Sequence, residues 1–334
     1  MAMKDMLIVG LGRGTKMATS IARSTKVRLA AVVDPNQQRL AEAAQLCCLQ
    51  PSQLFTDLSQ AIASVRADML LVATPTHLHH RHTLQGLEAG LHVLCEKPLV
   101  TTRADAISLC DAAVKTGRRL AVVQNVRYVS PYRACQRLIR DGEVGELSLI
   151  EINYHRWRPP RGLEHAVLFN HGVHHLDVIR SLAKGTLHSL DAVEWDPPWA
   201  SDPGSGRFLR LTAIMKEGWV AAYNASYGEA GRETSSIGEC RIVGSRGTLE
   251  VRGEPDFNPQ VWLYRVARAT GGPQVEQRVP VEKSDWRQID CQLIEEFADA
   301  IETGRPAETD IEDNLLTLEW VFQAAECIDR GKAL

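Results

Sequence analysis

Within the first 34 residues, a short apolar run (Met6-Leu7-Ile8-Val9) meets a glycine-rich turn (Gly10-Leu11-Gly12-Arg13-Gly14), and a second apolar run ends in an acid (Val32-Val33-Asp34). Few folds accept that order. A strand running straight into glycines, then a helix-like stretch, then a strand closed by a carboxylate describe a βαβ unit. Asp34 follows Gly14 by twenty residues, the spacing of a dinucleotide-binding unit. The glycines close the turn tightly and let the backbone approach a pyrophosphate. The helix behind them aims its N–H groups and positive dipole end at the phosphates. An acid at the end of the second strand accepts hydrogen bonds from both ribose hydroxyls and repels a 2′-phosphate. The cofactor expected is therefore NAD, with Arg39 leaving NADP admissible. Gly10, Gly12, Arg13, Gly14 and Asp34 are its expected contacts. The third glycine of the G-x-G-x-x-G pattern would fall at Thr15, so Gly14 stands one place early. The plainer alternative is an ordinary α/β turn with no ligand. Strand, helix and acid in their required places argue against it.

At 334 residues the chain is long enough for two domains. Its 44% apolar and 24% charged content is that of a water-soluble globular protein. A net charge of −3 gives no reason to expect nucleic acid or an anionic membrane as partner. No apolar run approaches bilayer length. Residues 1–5 lack the features of a signal peptide, because the apolar run at 6–11 is too short. The eight cysteines form no C-x-x-C pair, and several, such as Cys95 after Val93-Leu94, sit inside apolar segments. They read as small buried hydrophobes of a cytoplasmic protein rather than a disulfide framework.

From residue 5 to about 124 the pattern alternates. Apolar runs at 6–10, 27–33, 68–73, 91–95 and 120–123 are separated by helical stretches near 15–24, 37–47, 58–64, 78–89 and 103–117. Continuous apolar runs imply strands buried on both faces, hence a doubly wound parallel sheet covered by helices. Beyond 125 the rhythm changes. A helix is expected at 131–141, an alternating strand at 148–155 and a helix at 170–183. Strands follow at 207–215, 218–227, 239–244, 247–252, 260–266 and 275–281, and two helices close the chain near 286–303 and 312–330. Gly and Pro clusters at 202–204 and 271–273 punctuate the strands. The fold class expected is α/β: residues 1–124 form an N-terminal doubly wound domain, and residues 125–334 an α+β domain with an open-faced, mostly antiparallel sheet. An open sheet face is usually charged or covered by another subunit, so a homodimer or homotetramer through that sheet is expected.

Four further segments carry chemistry. Thr74-Pro75 sits at the carboxyl end of a strand, where open parallel sheets bind ligands, and a loop there covers the cofactor. The histidines at 77, 79, 80 and 82 lack cysteine or carboxylate companions. A solvated helix start is therefore expected in place of a metal set, with His79 counted among the cofactor contacts. Glu96-Lys97-Pro98 follows the strand ending at Cys95. A lysine there can hydrogen-bond a substrate hydroxyl and stabilise the oxyanion that forms as hydride leaves carbon, while Glu96 positions or tunes it. Alone, this would be a surface Glu–Lys pair before a proline. Asn170, His174 and Asp177 have the spacing of one helix face. His174 titrates near neutrality and suits proton transfer, with Asp177 orienting its ring and Asn170 meeting substrate. Alone, His174 would be an interface histidine. In Gln124-Asn125-Val126-Arg127, Arg127 reads first as the partner of an acid, and Asn125 as a contact of nicotinamide or substrate.

Together these segments resemble the glucose–fructose oxidoreductase/inositol dehydrogenase/rhizopine-catabolism (Gfo/Idh/MocA) family. The likeness runs over nearly the whole chain, and adds Ile242-Val243-Gly244-Ser245-Arg246-Gly247-Thr248-Leu249 and a closing helix ending near Gly331. It implies a Rossmann domain followed by an open-faced sheet domain. It also implies a nicotinamide-dependent oxidation of a sugar or cyclitol hydroxyl, or the reverse reduction. The family's catalytic lysine and histidine map to Lys97 and His174, and its frequently cis lysine–proline peptide maps to Lys97–Pro98. A common pattern has Asp four residues before the histidine. Here that residue is Asn170, as in a subset of the family that includes members acting on nucleotide-linked sugars. The change removes an anionic partner and weakens the case for a lysine–aspartate–histidine relay.

The mechanism expected has His174 take the hydroxyl proton while Lys97 offsets the charge developing on oxygen. Asn170, Tyr154, Arg156 and Trp157 position the ring. Two alternatives share the fold: an epimerase, lyase or glycosidase that recycles bound NAD, and a non-catalytic nucleotide-responsive regulator. Retention of Lys97 and His174 argues against the regulator. The loops at 154–168 and 197–206, with Arg156, Arg158 and Arg161, hold the choice of substrate.

Overall fold

A computed structural model describes residues 3–158, 164–200, 208–253, 259–266, 274–283 and 285–332. The chain divides into two compact units: residues 1–125 with 285–316, and residues 126–284 with 317–334.

The first unit is built on a six-stranded parallel sheet formed by β1 (Lys4–Val9), β2 (Val27–Val33), β3 (Leu54–Phe55), β4 (Met69–Val72), β5 (His92–Cys95) and β6 (Leu120–Val122). Its order is β3-β2-β1-β4-β5-β6. Every residue of β4 and of β6 is buried, as required of strands with helices on both faces. The helices α1 (Leu11–Ile21), α2 (Gln37–Cys47), α3 (Leu58–Ser64), α4 (His79–Glu88) and α5 (Arg103–Thr116) alternate with the strands. Their starts are chemically marked: Asn36, Asp57 and Thr102 each accept hydrogen bonds from the free N–H groups of the first turn of α2, α3 and α5. Gly117, left-handed at φ 64°, ends α5. The strand order reverses between β1 and β4, so the crevice outside their carboxyl ends is where a ligand binds.

One boundary differs from the sequence reading. The segment 285–316, expected in the second domain, belongs to the first unit. The helix α8 (Trp286–Thr303) packs on α1. Ion pairs Arg23–Asp285, Lys26–Asp299 and Lys4–Glu302 fasten it at 2.6, 2.6 and 2.9 Å. The backbone of Asp310 bridges to Ala121 of β6.

The second unit holds an eight-stranded sheet: β7 (Leu147–His155), β8 (Leu187–Trp195), β9 (Phe208–Met215), β10 (Val220–Ser226), β11 (Glu239–Gly244), β12 (Gly247–Arg252), β13 (Gln260–Val266) and β14 (Gln274–Val279). Its order is β14-β13-β12-β11-β7-β10-β9-β8, antiparallel except for the central β7–β10 pair. Alternate residues Ile150, Ile152 and Tyr154 of β7 are fully buried, under α7 (Val173–Leu182), while α6 (Ser130–Arg140) packs on α7, β12 and β13. The other face is open. Across it Leu149 pairs with Val220 and Val243, and Val220 with Ile214, giving an apolar band. Ile214, Val193 and Trp195 are 43%, 51% and 44% exposed. The last helix, α9, runs Ile311–Lys332. No described helix is long and apolar enough to cross a membrane. All eight cysteines are free thiols, and Cys95, Cys135, Cys240 and Cys291 are buried. The turn clusters at 202–204 and 271–273 lie outside the described residues.

Candidate active site

In the first unit, the turn after β1 opens onto a cleft of about 590 Å³ lined by Gly10, Gly12, Arg13, Asp34, Arg39, Thr74 and Pro75, among others. Each glycine has its own reason. Gly10 has φ 91°, and a Cβ there would lie 2.6 Å from the backbone of Ala73 and Thr74. Gly12 faces open space, with nothing within 4 Å of where its Cβ would be. Backbone exposed in this way is what a pyrophosphate needs. At Gly14 a Cβ would press Ile8 at 2.9 Å. Gly14 therefore does the work of the third fingerprint glycine, close helix-on-strand packing, one position early.

Asp34 is 3% exposed. Its Oδ2 accepts from the Leu11 amide at 2.7 Å and its Oδ1 from the Asn36 amide at 2.9 Å. The carboxylate is thus held rigidly at the mouth of the cleft, with the Arg39 guanidinium 3.7 Å away. The cleft, the open glycine backbone and the fixed acid fit an adenine dinucleotide, whose ribose diol Asp34 would hold.

Arg13 lines the cleft and also bridges two acids, donating from Nε to Glu96 at 3.0 Å and from Nη2 to Asp290 at 3.2 Å. Asn125 donates to the same Asp290 at 2.8 Å. Burial pushes the Asp290 carboxyl above its ordinary pKa, opposed by Arg13 and the Asn125 amide. Asp290 was not legible in the sequence, since it sits in α8, far along the chain. Asn125, expected to touch nicotinamide or substrate, spends a side-chain N–H on Asp290. Glu96 is fixed from two sides. It receives Arg13 on one oxygen and the Lys97 backbone N–H on the other, at 3.3 Å. Lys97 is half-buried directly after β5, and the Lys97–Pro98 peptide is cis.

The four histidines differ: His77 is exposed and His80 and His82 are half-buried, as a solvated helix start would have them, but one is not. His79 is 1% exposed, and its ring nitrogens lie 2.8 Å from the carbonyls of Pro98 and Thr74. It does not line the cofactor cleft, contrary to expectation. His82 Nδ1 and the Thr74 hydroxyl are 3.2 Å apart.

In the second unit, a π-turn over Leu168–Gly172 leads into α7. Such wide turns recur at functional sites. The extra residue breaks the α-helical register on which Asn170 and His174 were placed on one face. His174 is 8% exposed at the start of α7, and Asn170 is half-buried in the wide turn.

Asp177, expected to orient His174 or touch substrate, takes its described hydrogen bonds from Arg127 and Thr317. Arg127 grips it twice, from Nε at 2.7 Å and Nη2 at 2.5 Å, and Thr317 donates to it at 3.3 Å. The expectation that Arg127 pairs with an acid holds. Tyr154 was expected at the substrate. Its ring is fully buried, stacked on His171 at 4.6 Å and beside His175 at 4.9 Å. His171 and the Tyr227 hydroxyl are 2.5 Å apart, and His175 and the Tyr223 hydroxyl 2.9 Å. This aromatic and imidazole cluster supports the α7 start from beneath. Only the His171 and His175 pair at i, i+4 hints at it in the sequence.

Arg156 is also turned inward, 2.9 Å from Glu233 and donating to the Thr234 carbonyl at 3.1 Å. Trp157 differs: its indole is 61% exposed, and its backbone N–H is fixed by Glu233 at 2.7 Å. Arg161, with the loop residues 159–163 and 201–206, lies outside the described residues. Elsewhere in this unit His165 sits between Glu194 at 2.6 Å and Asp329 at 3.3 Å.

A parallel sheet in this order, with a glycine turn and a fixed acid at its switch point, defines a dinucleotide-binding protein, here joined to a large open sheet. Residues 4–124 match the profile of the oxidoreductase family with an NAD-binding Rossmann fold, and residues 132–250 match the Gfo/Idh/MocA C-terminal domain. Inositol 2-dehydrogenase 4 of Saccharopolyspora erythraea is 32% identical over 306 residues, 89% of this chain and 85% of the relative. The chain belongs to the Gfo/Idh/MocA oxidoreductase family and carries its NAD-binding domain. Two crystal structures share its fold. An inositol dehydrogenase homolog from Azotobacter vinelandii, complexed with NADH and myo-inositol, superposes with TM-score 0.82 at 20% identity, covering 99% of this chain and 96% of that one. An oxidoreductase from Agrobacterium radiobacter, in complex with NAD+, L-tartaric acid and magnesium, gives 0.84 at 17% identity, covering 98% and 97%.

Proposed function

We propose that this protein interconverts a secondary hydroxyl and the corresponding ketone on a sugar, sugar derivative or cyclitol. The observation that carries the proposal is that each unit holds one candidate proton-handling side chain. Lys97 stands directly beyond the carboxyl end of β5 in the unit that holds the nucleotide cleft, and His174 opens α7 behind a π-turn braced by buried aromatics. Membership in a family of oxidoreductases supports the redox chemistry, and the inositol dehydrogenase relative supports a polyol-like substrate.

Bound NAD supplies the hydride acceptor; the protein supplies the proton chemistry and the orientation. His174 takes the hydroxyl proton as the carbinol carbon gives up hydride, so that the alcohol loses H⁺ and H⁻ and leaves as a ketone. Lys97 donates a hydrogen bond to the same oxygen and offsets its developing charge. Asn170 replaces an acid with a neutral amide, which holds a substrate hydroxyl without drawing the His174 proton. Trp157 presents an exposed ring suited to the apolar face of a sugar. The chain acts in a reducing compartment, the cytoplasm, with its thiols free, and assembles through the apolar band of its open sheet face.

The test is single-turnover NADH formation over a panel of sugars, cyclitols and uronates, followed by Lys97→Ala and His174→Ala with the substrate found. Each variant is expected to lose on the order of 10²–10⁴ in rate. Near-normal rates in both would overturn the assignment. Turnover with no net NADH, from protein that keeps its cofactor, would point to recycling instead.

A further inference from the structure

The geometry points to His79 as a positioning residue that works as a doubly protonated imidazolium, bolting the strand exit at Thr74 to the peptide that follows Lys97. The argument begins with hydrogen-bond stoichiometry. A neutral imidazole has one N–H donor and one lone pair. Both ring nitrogens of His79 face backbone carbonyl oxygens at 2.8 Å, Pro98 on one side and Thr74 on the other. A carbonyl can only accept. A neutral ring would set one lone pair against another in a site that is 1% exposed, whereas the cation satisfies both carbonyls.

Two influences oppose a charge there. Burial disfavours it, and His79 is the first residue of α4, at the positive end of the helix dipole. The nearby Cys95 sulfur on β5 and the two carbonyls act the other way. Burial alone would lower the pKa, but Cys95, Pro98 and Thr74 outweigh it and raise it to about 9. The titratable groups facing the ring are Cys95 from β5 and His82 from α4. His82 responds as a neighbour of a cation should. Burial lowers its pKa, with further lowering from Arg81 and His79, which leaves a neutral ring free to hold the Thr74 hydroxyl.

The consequence lies in what is bolted. Thr74 lines the nucleotide cleft, and Pro98 follows the lysine assigned to catalysis, so one side chain fixes both. The catalytic consequence rests on the function proposed above; the charge state and its effect on NAD binding do not.

The test uses the full-length protein, uniformly ¹⁵N-labelled at histidine, and His79→Gln to assign the resonance. Two-bond ¹H–¹⁵N spectra of the wild type are expected to show both His79 nitrogens protonated at pH 7.5. A pyridine-like nitrogen at that pH overturns the inference, and needs no variant to fold. NAD affinity, measured without substrate, is expected to fall ~tenfold per pH unit above about 9 in the wild type and in Lys97→Ala, because one proton is then linked to binding. His79→Gln is expected to bind more weakly at pH 7.5 and to lose that dependence. A break that survives in His79→Gln, or disappears in Lys97→Ala, overturns the assignment. Both readouts stand even if Lys97→Ala turns over substrate normally, so the failure of one reading is separable from the failure of the other.

Discussion

Asp177 poses a sharp choice, because three residues from His174 it could be a catalytic orienter or a piece of scaffold. Its described bonds favour scaffold, and that reading has a size. Arg127 and Asp177 are 6% and 1% exposed at the side chain. They share two short hydrogen bonds, with Thr317 completing the acid and Arg180 donating to Thr317 at 2.7 Å. Removing one partner of such a pair leaves a buried, unmatched charge, which costs about 3–5 kcal/mol. For a unit of this size, ~2–4 °C of melting temperature accompanies each kcal/mol. Asp177→Ala and Arg127→Met are therefore each expected to lower the transition of the second unit by roughly 6–20 °C. The double variant Arg127→Met/Asp177→Leu removes both charges and is expected to recover most of the loss, since an apolar pair of similar volume is often neutral or better. The assay is calorimetry and urea denaturation at fixed protein concentration without NAD, because bound ligand would add its own stabilisation. Rate per folded molecule is measured alongside, below the transition. The scaffold reading expects the double variant to keep a rate within about threefold of the wild type, far short of the loss that removing a general acid or base produces. If the single variants melt within ~1 kcal/mol of the wild type while the double variant has lost turnover, the carboxylate is orienting His174 and the reasoning is wrong.

Four other outcomes are expected. Gly10→Ala forces a Cβ to 2.6 Å from the Ala73–Thr74 backbone at φ 91°; NAD binding by calorimetry should be lost, and retention of wild-type affinity would remove the turn from the site. Asp34→Ser should shift the NADP-to-NAD preference towards NADP, read from the two dissociation constants, while costing about 1–3 kcal/mol in urea because the buried Leu11 amide loses its acceptor. His92 accepts the Arg119 amide at Nδ1, and burial, then Arg118, Lys4 and Arg119, lower its pKa to about 4. The depressed value means its contribution is present above the unfolded pKa of ~6.5 and lost as pH falls towards 4, so the stability gap between wild type and His92→Gln should shrink between pH 7 and 4.5; a widening gap contradicts this. Leu149→Asp with Ile214→Lys places charges in the apolar band of the open sheet face; the proposed homo-oligomer should then become a monomer by light scattering, whereas a wild-type monomer or an unchanged mass would refute assembly through this face.

What the sequence made legible follows from the range of the interactions involved. β2, α2 and α3 fall where apolar runs and caps within a few residues place them. β8 escapes because it is an edge strand whose residues are mostly exposed, with Asp191 and Glu194 interrupting its alternation. β3 is too short to show a period. The return of 285–316 to the first unit rests on α8 meeting α1, a contact between segments more than 260 residues apart, and no local pattern announces it. The site divides the same way. The glycine turn, Asp34 and Lys97 are recognisable because a parallel sheet delivers its ligands at strand ends, which the sequence locates. Asp177 was paired with His174 by helical spacing, and Asn125, Tyr154 and His79 with substrate or cofactor, whereas their described protein partners are Arg127, Asp290, the His171–His175 pair, and two carbonyls. Helical spacing determines the direction a side chain leaves its own element, but its charge and hydrogen bonds are satisfied by whatever the fold brings opposite. A polar residue beside a proposed catalytic histidine is therefore better presumed structural until its hydrogen bonds are accounted for, and Asn170, in the π-turn ahead of His174, is the position where that accounting decides the proposed substrate contact.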